Sequence, residues 1–146
     1  MKLIIPLLLL CICSGAVDAQ FWAADFATAQ GAAGSDGKHI VLVFSGSDWC
    51  APCIKLDREI WQDEGFRAAA GEEFVFYRAD FPRKKENRLP EAIAATNGEL
   101  ANQYNRGGSF PLVVVITPEG ETVGLTGYLK SNPAEYLALL RSFTAQ

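Results

Sequence analysis

Two cysteines, Cys50 and Cys53, are separated by only two residues and directly follow a short apolar run. The run, residues 39–44, is almost uninterrupted and rich in β-branched side chains, which is typical of a strand buried on both faces. Residues 45–48, Ser-Gly-Ser-Asp, are of types that favour a turn. Beyond the cysteines, apolar residues recur at roughly helical spacing: Ile54, Leu56, Ile60 and Trp61. The sequence therefore predicts a strand, a turn and a helix, with Cys50 in the first helical turn.

A helix N-terminus offers unpaired backbone N–H groups and the positive end of the helix dipole, and both favour an anion over a neutral thiol. We therefore expect the thiolate of Cys50 to be stabilised and to be the attacking group. Cys53 lies nearly one turn further along, where we expect it to be less exposed and to resolve a mixed disulfide. Pro52 is compatible with the first helical turn, where its missing N–H is not needed.

Two other uses of a cysteine pair stay open at this point. A structural zinc site usually takes four ligands, whereas beyond residue 19 the chain offers only Cys50, Cys53 and a single histidine, His39. A purely structural disulfide is the stronger alternative, although closing so small a loop removes little entropy from the unfolded chain. Redox chemistry is the use that the spacing favours, with no metal and no cofactor beyond the cysteine pair itself.

Three segments together resemble the thioredoxin family. Trp49-Cys50-Ala51-Pro52-Cys53, between a buried strand and a helix, is similar to that family's active site. Ser109-Phe110-Pro111, directly before the apolar run at 112–117, is similar to its cis-proline loop. The Gly-Leu-Thr-Gly-Tyr stretch at 124–128 is similar to the glycine-bearing segment after its last strand. The resemblance extends from about residue 37 to the C-terminus.

The resemblance implies an α/β, thioredoxin-like fold, in which a central mixed β-sheet is flanked by helices on both faces. It implies a thiol-disulfide oxidoreductase that acts through Cys50 and Cys53 on protein substrates with disulfides or thiols, and a redox partner that recycles the pair. It also implies a cis Phe110–Pro111 bond, which would leave the backbone of Phe110 free to pair with an extended substrate. The substrate-binding residues would be Trp49, which shields the site, together with Ala51, Pro52, Phe110 and Pro111.

Two positions depart from the family pattern. Many thioredoxins carry a buried aspartate six residues before the first active-site cysteine, where this chain has Phe44, so removal of the Cys53 proton needs water or another group. Ala51-Pro52 also lacks the histidine that disulfide oxidases and isomerases often carry, and a cationic neighbour there would make the pair more oxidising. The dipeptide thus favours a reductant. A disulfide oxidase or isomerase, and a non-catalytic binding module with a stable disulfide, are the alternatives.

Residues 1–19 have the pattern of a cleaved signal peptide. A positive start precedes an apolar run at residues 3–12, which is too short to span a bilayer, and Val17-Asp18-Ala19 forms a small-residue cleavage site. Cys11 and Cys13 lie inside this leader. Lipid modification of one of them is the alternative, but the residue before each is bulky where such a signal needs a small one. We expect an exported, periplasmic protein with no stable membrane insertion.

The remainder, residues 20–146, fits a single domain. The full chain has 146 residues, of which 49% are hydrophobic and 21% charged, as in ordinary globular proteins. Its net charge of −4 is mild and argues against a nucleic-acid or anionic-membrane partner. We expect a monomer.

Local patterns predict the other elements. They comprise a helix at 21–30 with Trp22 and Phe26 on its core face, a flexible loop at 31–37, and strands at 73–79, 112–117 and 121–125. Two helical segments, 90–95 and 99–104, are predicted to be interrupted by Asn97-Gly98, and a last helix begins at Asn132-Pro133. Residues 81–88 are either a solvated loop or a basic patch that steers acidic partners.

Overall fold

The computed structural model describes residues 20–145, and the leader expected at residues 1–19 lies outside them. The strands are β1 His39–Ser45, β2 Phe74–Asp80, β3 Leu112–Ile116 and β4 Thr122–Thr126. The α-helices are α1 Phe26–Asp36, α2 Ala51–Leu56, α3 Glu64–Glu73, α4 Glu91–Tyr104 and α5 Pro133–Thr144. A π-helical turn, Asp57–Trp61, follows α2, and a 3₁₀ turn, Lys85–Asn87, precedes α4.

The four strands form one mixed sheet in the order β2-β1-β3-β4. β1 pairs in parallel with β2, whereas the β1–β3 and β3–β4 pairs are antiparallel. Alternate residues of β1 point to opposite faces: Val41 and Val43 join a core cluster with residues of α3 and α5, and Ile40 and Leu42 join one with α1 and α4. The predicted mixed sheet with helices on both faces is confirmed.

The four predicted strands are confirmed to within one residue at each end. β1 is buried almost throughout, β4 is the antiparallel edge strand, and Asn132 caps α5. The Asn132 side chain accepts from the Glu135 N–H at 2.9 Å, and the Glu135 carboxylate accepts from the Asn132 N–H at 3.0 Å. This reciprocal capping box fixes where the last helix begins.

The predicted boundaries of the first helix are wrong. α1 begins five residues later than predicted, because the Asp25 carboxylate accepts from the Thr28 N–H at 2.7 Å and caps the helix there. Trp22 instead lies beside β2 and bridges to Phe76. The segment 31–36, predicted as a flexible loop, continues the helix, which ends at Gly37 with φ +64°.

The predicted interruption at Asn97-Gly98 is also wrong. α4 runs unbroken, and Asn97 is fully buried in it. The Asn97 side-chain oxygen accepts from the Tyr77 hydroxyl at 2.6 Å, and its amide donates to the Asp80 carbonyl at 3.1 Å. Asn97 therefore fastens the helix to β2 near the end of that strand, and both of its polar atoms are paired although water is excluded.

The apolar face predicted after the cysteines is confirmed for three of its four residues. Leu56, Ile60 and Trp61 are buried, whereas the interpretation of Ile54 as a core residue is wrong, because its side chain is 37% exposed. Cys53 and Leu56 lie three residues apart and face the core together, so Ile54 is rotated toward solvent.

Gly31 tests the revised limits of α1. An added Cβ at Gly31 meets no atom within 4 Å, so we expect Gly31→Ala to stabilise the protein by about 0.5–1 kcal/mol, since alanine favours a helix interior over glycine. Urea unfolding of the disulfide form measures the change. Gly37→Ala is the matched control, and its positive φ should make the same substitution destabilising. Lower stability of Gly31→Ala would mean that the segment is not helical.

Candidate active site

A disulfide joins Cys50 to Cys53, whose Cα atoms are 5.2 Å apart. Cys50 is the N-cap of α2, and Pro52 and Cys53 lie in the first turn, as predicted. The backbone N–H of Cys53 donates to the Cys50 Sγ at 3.3 Å. Because this N–H already points at the sulfur, it can stabilise a negative charge that develops on Cys50. The exposed fractions of the two residues are 5% for Cys50 and 3% for Cys53, a smaller difference than expected.

The turn between β1 and α2 requires a glycine. The Gly46 carbonyl accepts from the N–H groups of Trp49, at 3.2 Å, and Cys50, at 2.9 Å. A Cβ added at Gly46 would lie 2.3 Å from the Trp49 indole, so no larger residue fits beneath that ring. The indole N–H in turn donates to the Phe81 carbonyl at 2.8 Å. The Trp49 side chain, next to Cys50, is thus held by packing against Gly46 and by its hydrogen bond to Phe81.

The ends of the two parallel strands are tied together beside the disulfide. The Asp80 carboxylate accepts from both the backbone N–H and the hydroxyl of Ser47, and the Phe81 N–H donates to the Ser45 carbonyl at 2.9 Å. Because β1 and β2 run in parallel, the segments that follow them leave from the same edge of the sheet. Residues 80 and 81 therefore belong to the surroundings of the cysteine pair.

Three aromatic rings form a continuous surface beside Cys50, here named the aromatic platform: Trp49, Phe81 and Phe110. The ring centre of Phe110 lies 5.4 Å from that of Trp49 and 5.6 Å from that of Phe81, both in edge-on contact. Trp49 and Phe110 were predicted site residues, and the structure brings them together. Phe81 was not among the predicted site residues, although its position directly after a predicted strand was a usable signal.

The Phe110–Pro111 peptide bond is cis and directly precedes β3. Leu112 pairs with Phe44, near the end of β1, which places Pro111 at the same sheet edge as the disulfide. Buried Asn105 fixes the approach to this bond, because its side chain accepts from the Ser109 N–H and donates to the Ser109 carbonyl, both at 2.9 Å.

The other predicted binding residues, Ala51 and Pro52, are exposed on the first turn of α2. Gly127, from the glycine-bearing stretch, lies against the Pro111 carbonyl, where an added Cβ would come within 3.0 Å. All five predicted substrate-binding residues therefore lie on segments that meet at, or start from, one edge of the sheet. His39 begins β1 at the opposite end of that strand.

Phe44 is fully buried at the position where many thioredoxins carry an acid. The carboxylates of the following helical segment are committed elsewhere: Asp57 pairs with Arg78, and Glu59 accepts from the Tyr128 hydroxyl at 3.0 Å. Both carboxylates are thus already paired with groups other than Cys53.

Asp48 holds the loop that follows β2. Its carboxylate accepts from the backbone N–H groups of Arg83 and Lys84 and from the side-chain amide of Asn87, each at 3.0 Å. These bonds, that from Arg83 foremost, lower the pKa of Asp48 from 3.8 to about 2. The Arg83 guanidinium lies 3.8 Å over the centre of the Trp49 ring. Sequence reasoning recognised Asp48 only as a turn residue.

Among residues 20–145, no three His, Cys, Asp or Glu side chains are grouped closely enough to bind a metal ion. No helix in this part of the chain combines the length and hydropathy needed to cross a bilayer.

A family model described as a thioredoxin-like domain matches residues 26–144. The chain belongs to this family. It is 38% identical over 107 residues to the disulfide bond reductase DsbH of Chlamydia pneumoniae, an alignment that covers 73% of this chain but only 63% of that protein. The chain thus spans less than two thirds of that relative's length.

Solved structures agree with the family assignment. A DsbH oxidoreductase superposes with a TM-score of 0.78 at 34% identity, covering 86% of this chain and 85% of the other. A thioredoxin from Thermus thermophilus superposes with a TM-score of 0.61 at 23% identity, covering 83% and 85%, and this likeness shows the shared fold. The disulfide of this thioredoxin-like domain lies at the start of α2, as the five-residue motif predicts.

Asp48→Asn tests whether this carboxylate fixes the loop after β2. The substitution removes the charge that strengthens three hydrogen bonds, so we expect trypsin to cleave after the basic residues at 83–88 several-fold faster at pH 7. Mass spectrometry of the limited digest identifies the cut. Asp36→Asn, at an exposed aspartate at the end of α1, is the matched control. Equal cleavage of the two variants would contradict the role of Asp48.

Acid should release the same loop at a defined pH. Because the pKa of Asp48 is lower in the folded than in the unfolded chain, its stabilising effect is fully present above pH 3.8 and is lost as the pH falls through about 2. We expect the amide proton resonances of Arg83 and Lys84 to shift with a midpoint near pH 2. A midpoint near 3.8 would show that the carboxylate is unperturbed.

Proposed function

We propose that this thioredoxin-like chain is an exported thiol-disulfide oxidoreductase that reduces disulfides in protein substrates. The observation that carries the proposal is the Cys50–Cys53 disulfide at the start of α2, with the Cys53 N–H directed at the Cys50 sulfur. The name of the 38% identical relative, a disulfide bond reductase, supports the reducing direction. The leader pattern at residues 1–19 supports export to the periplasm.

Reduction of a substrate takes two exchange steps. The Cys50 thiolate attacks one sulfur of the substrate disulfide, so that a Cys50–substrate bond forms, the substrate S–S bond breaks, and one substrate thiolate leaves. The Cys53 thiolate then attacks the Cys50 sulfur, which closes the intramolecular disulfide and releases the second substrate thiolate. Two electrons pass to the substrate, whose thiolates take up protons. A dithiol partner protein must then return two electrons to the Cys50–Cys53 pair.

The surrounding residues bind and position the substrate in this proposal. An extended substrate pairs with the backbone of Phe110 beside the cis bond, and Ala51 and Pro52 contact it from the exposed turn of α2. Trp49, held by Gly46 below and the Phe81 carbonyl beside it, shields the reacting sulfur from water. Because Phe44 is apolar, the proton of Cys53 leaves through water or the departing substrate thiolate. No bound cofactor is needed, since the electrons reside in the sulfur pair.

A non-catalytic binding module is the second candidate, and the burial of the disulfide favours it. Both cysteines are at least 95% buried, which limits the access of a bulky substrate to either sulfur. In that case the aromatic platform would bind a partner without exchange. The two candidates differ in whether Cys50 ever forms an intermolecular disulfide.

Cys53→Ala should trap the first step of the reaction. Without the resolving thiol, the Cys50–substrate disulfide persists, and we expect a covalent adduct with substrate proteins that carry a disulfide or with a peptide disulfide. Non-reducing electrophoresis and mass spectrometry detect it. Cys50→Ala is the matched control and should yield no adduct. If Cys53→Ala forms none either, the binding-module alternative is favoured.

The reduction potential of the Cys50–Cys53 pair tests the direction of electron flow. We expect a value near about −270 mV, that of a thioredoxin, because no cation lies between the cysteines to stabilise the reduced form. Equilibration of the mature protein with dithiothreitol buffers of known ratio measures it. A potential between about −180 and −120 mV would instead identify a disulfide isomerase or oxidase.

A further inference from the structure

We propose that the basic loop, defined as residues 83–88, selects substrates that carry acidic residues next to the disulfide to be reduced. This inference rests on the proposed oxidoreductase function and names the class of polypeptide on which it acts. The loop holds four cations, Arg83, Lys84, Lys85 and Arg88, against a single carboxylate, Glu86. Its net charge is +3 in a chain whose net charge is −4, so the positive charge is concentrated in one place.

The cations of the basic loop are available to a ligand. All four are exposed, and within residues 20–145 their side chains form no hydrogen bond or ion pair. Asp48, the nearby acid, is satisfied by the loop's backbone N–H groups and by Asn87. Asp48 therefore holds the loop through two backbone N–H groups and Asn87, and it forms no ion pair with the four exposed cations.

The loop is held against the aromatic platform rather than at a distance from the site. The Arg83 guanidinium lies 3.8 Å over the Trp49 ring, and Trp49 directly precedes Cys50. A guanidinium stacked on an aromatic face keeps its N–H edge free to bind a carboxylate. Since Phe81, two residues before the loop, contacts Phe110, the loop begins close to the segment proposed to pair with the substrate backbone.

A recess of about 280 Å³ lies between this loop and the start of α4. Its lining combines apolar residues, Phe81, Pro82, Leu89 and Ala94, with the four cations of the loop and one acid, Asp80, whose carboxylate already accepts two hydrogen bonds from Ser47. A carboxylate on a short aliphatic stem matches this combination of apolar and cationic lining.

Reach and position favour an acidic polypeptide as the ligand. An extended chain advances about 3.3 Å per residue, so acidic side chains two to four residues from the substrate cysteine lie about 7–13 Å from it. The Arg83 guanidinium lies over the ring of Trp49, the residue next to Cys50, so we expect acidic side chains within that span to reach it. Attraction between complementary charges at this distance raises the rate of productive encounter and is screened by salt.

Two synthetic peptide disulfides of identical length test the proposal. One carries Glu at the second to fourth positions on each side of its cysteine, and the other carries Gln at the same positions. Pre-reduced protein is mixed with each, and the rate of peptide reduction is measured by acid quench and chromatography. We expect the Glu peptide to be reduced about tenfold faster at low ionic strength, with the ratio falling toward one in high salt.

Lys84→Glu/Lys85→Glu should lower or reverse the ratio of the two rates. Lys38→Glu/Arg67→Glu is the matched control, because it changes the net charge equally outside the basic loop. Lys38 precedes β1, about 20 Å along that strand from the disulfide, and Arg67 lies in α3, over the ring of Phe21. This control should keep the wild-type ratio.

The outcomes separate the two proposals. Equal rates on both peptides for the wild type, or the same loss of preference in the control variant, would overturn charge selection by the basic loop and leave the oxidoreductase function standing. Failure of the wild type to reduce either peptide would overturn the oxidoreductase function and, with it, this inference.

Discussion

The parallel pairing of β1 with β2 is the constraint on which the rest of the site depends. Ser45 at the end of β1 pairs with Asp80 at the end of β2, so both strands finish at the same edge of the sheet. One continues through a tight turn into the cysteine pair, and the other continues into Phe81 and the basic loop. Because β1 is central and fully enclosed, neither segment can shift without disturbing both core clusters.

Local patterns were enough to predict most of the fold. An apolar run of β-branched residues, a glycine-containing turn and a proline two residues into a helix each act over a few residues, so the strand, turn and helix around Cys50 follow directly from the sequence. The errors arose where tertiary contacts outweighed propensity. The glycines of α1 favoured a loop, but Ala29 and Ala33 pack against the sheet with no exposed area. Asparagine likewise has a low helix propensity, yet Asn97 lies within α4 because its side chain is hydrogen-bonded to Tyr77 and to the Asp80 carbonyl.

The chemistry of the site was easier to predict than its surroundings. Cys50, Cys53 and Pro111 belong to short motifs whose residue types are tied to one use, and the structure places them at one edge of the sheet. Phe81 and Asp48 belong to no motif. Their importance arises only when strand pairing brings residues about 35 positions apart into contact, as in the bonds from Asp48 to the loop. Such long-range contacts leave little signal in one sequence taken by itself.

Contacts between residues close in sequence and contacts between residues far apart in sequence form at different stages of folding. The cysteines are three residues apart, so they can meet in a chain that has not folded. The bonds that build the aromatic platform and hold its loop join residues 32 to 39 positions apart and form only once the sheet is complete. An unfolded chain can therefore close the disulfide, but it lacks the helix N-terminus beside Cys50 and the Cys53 N–H that is directed at its sulfur. Activation of Cys50 and the proposed selectivity for acidic substrates both depend on the folded sheet.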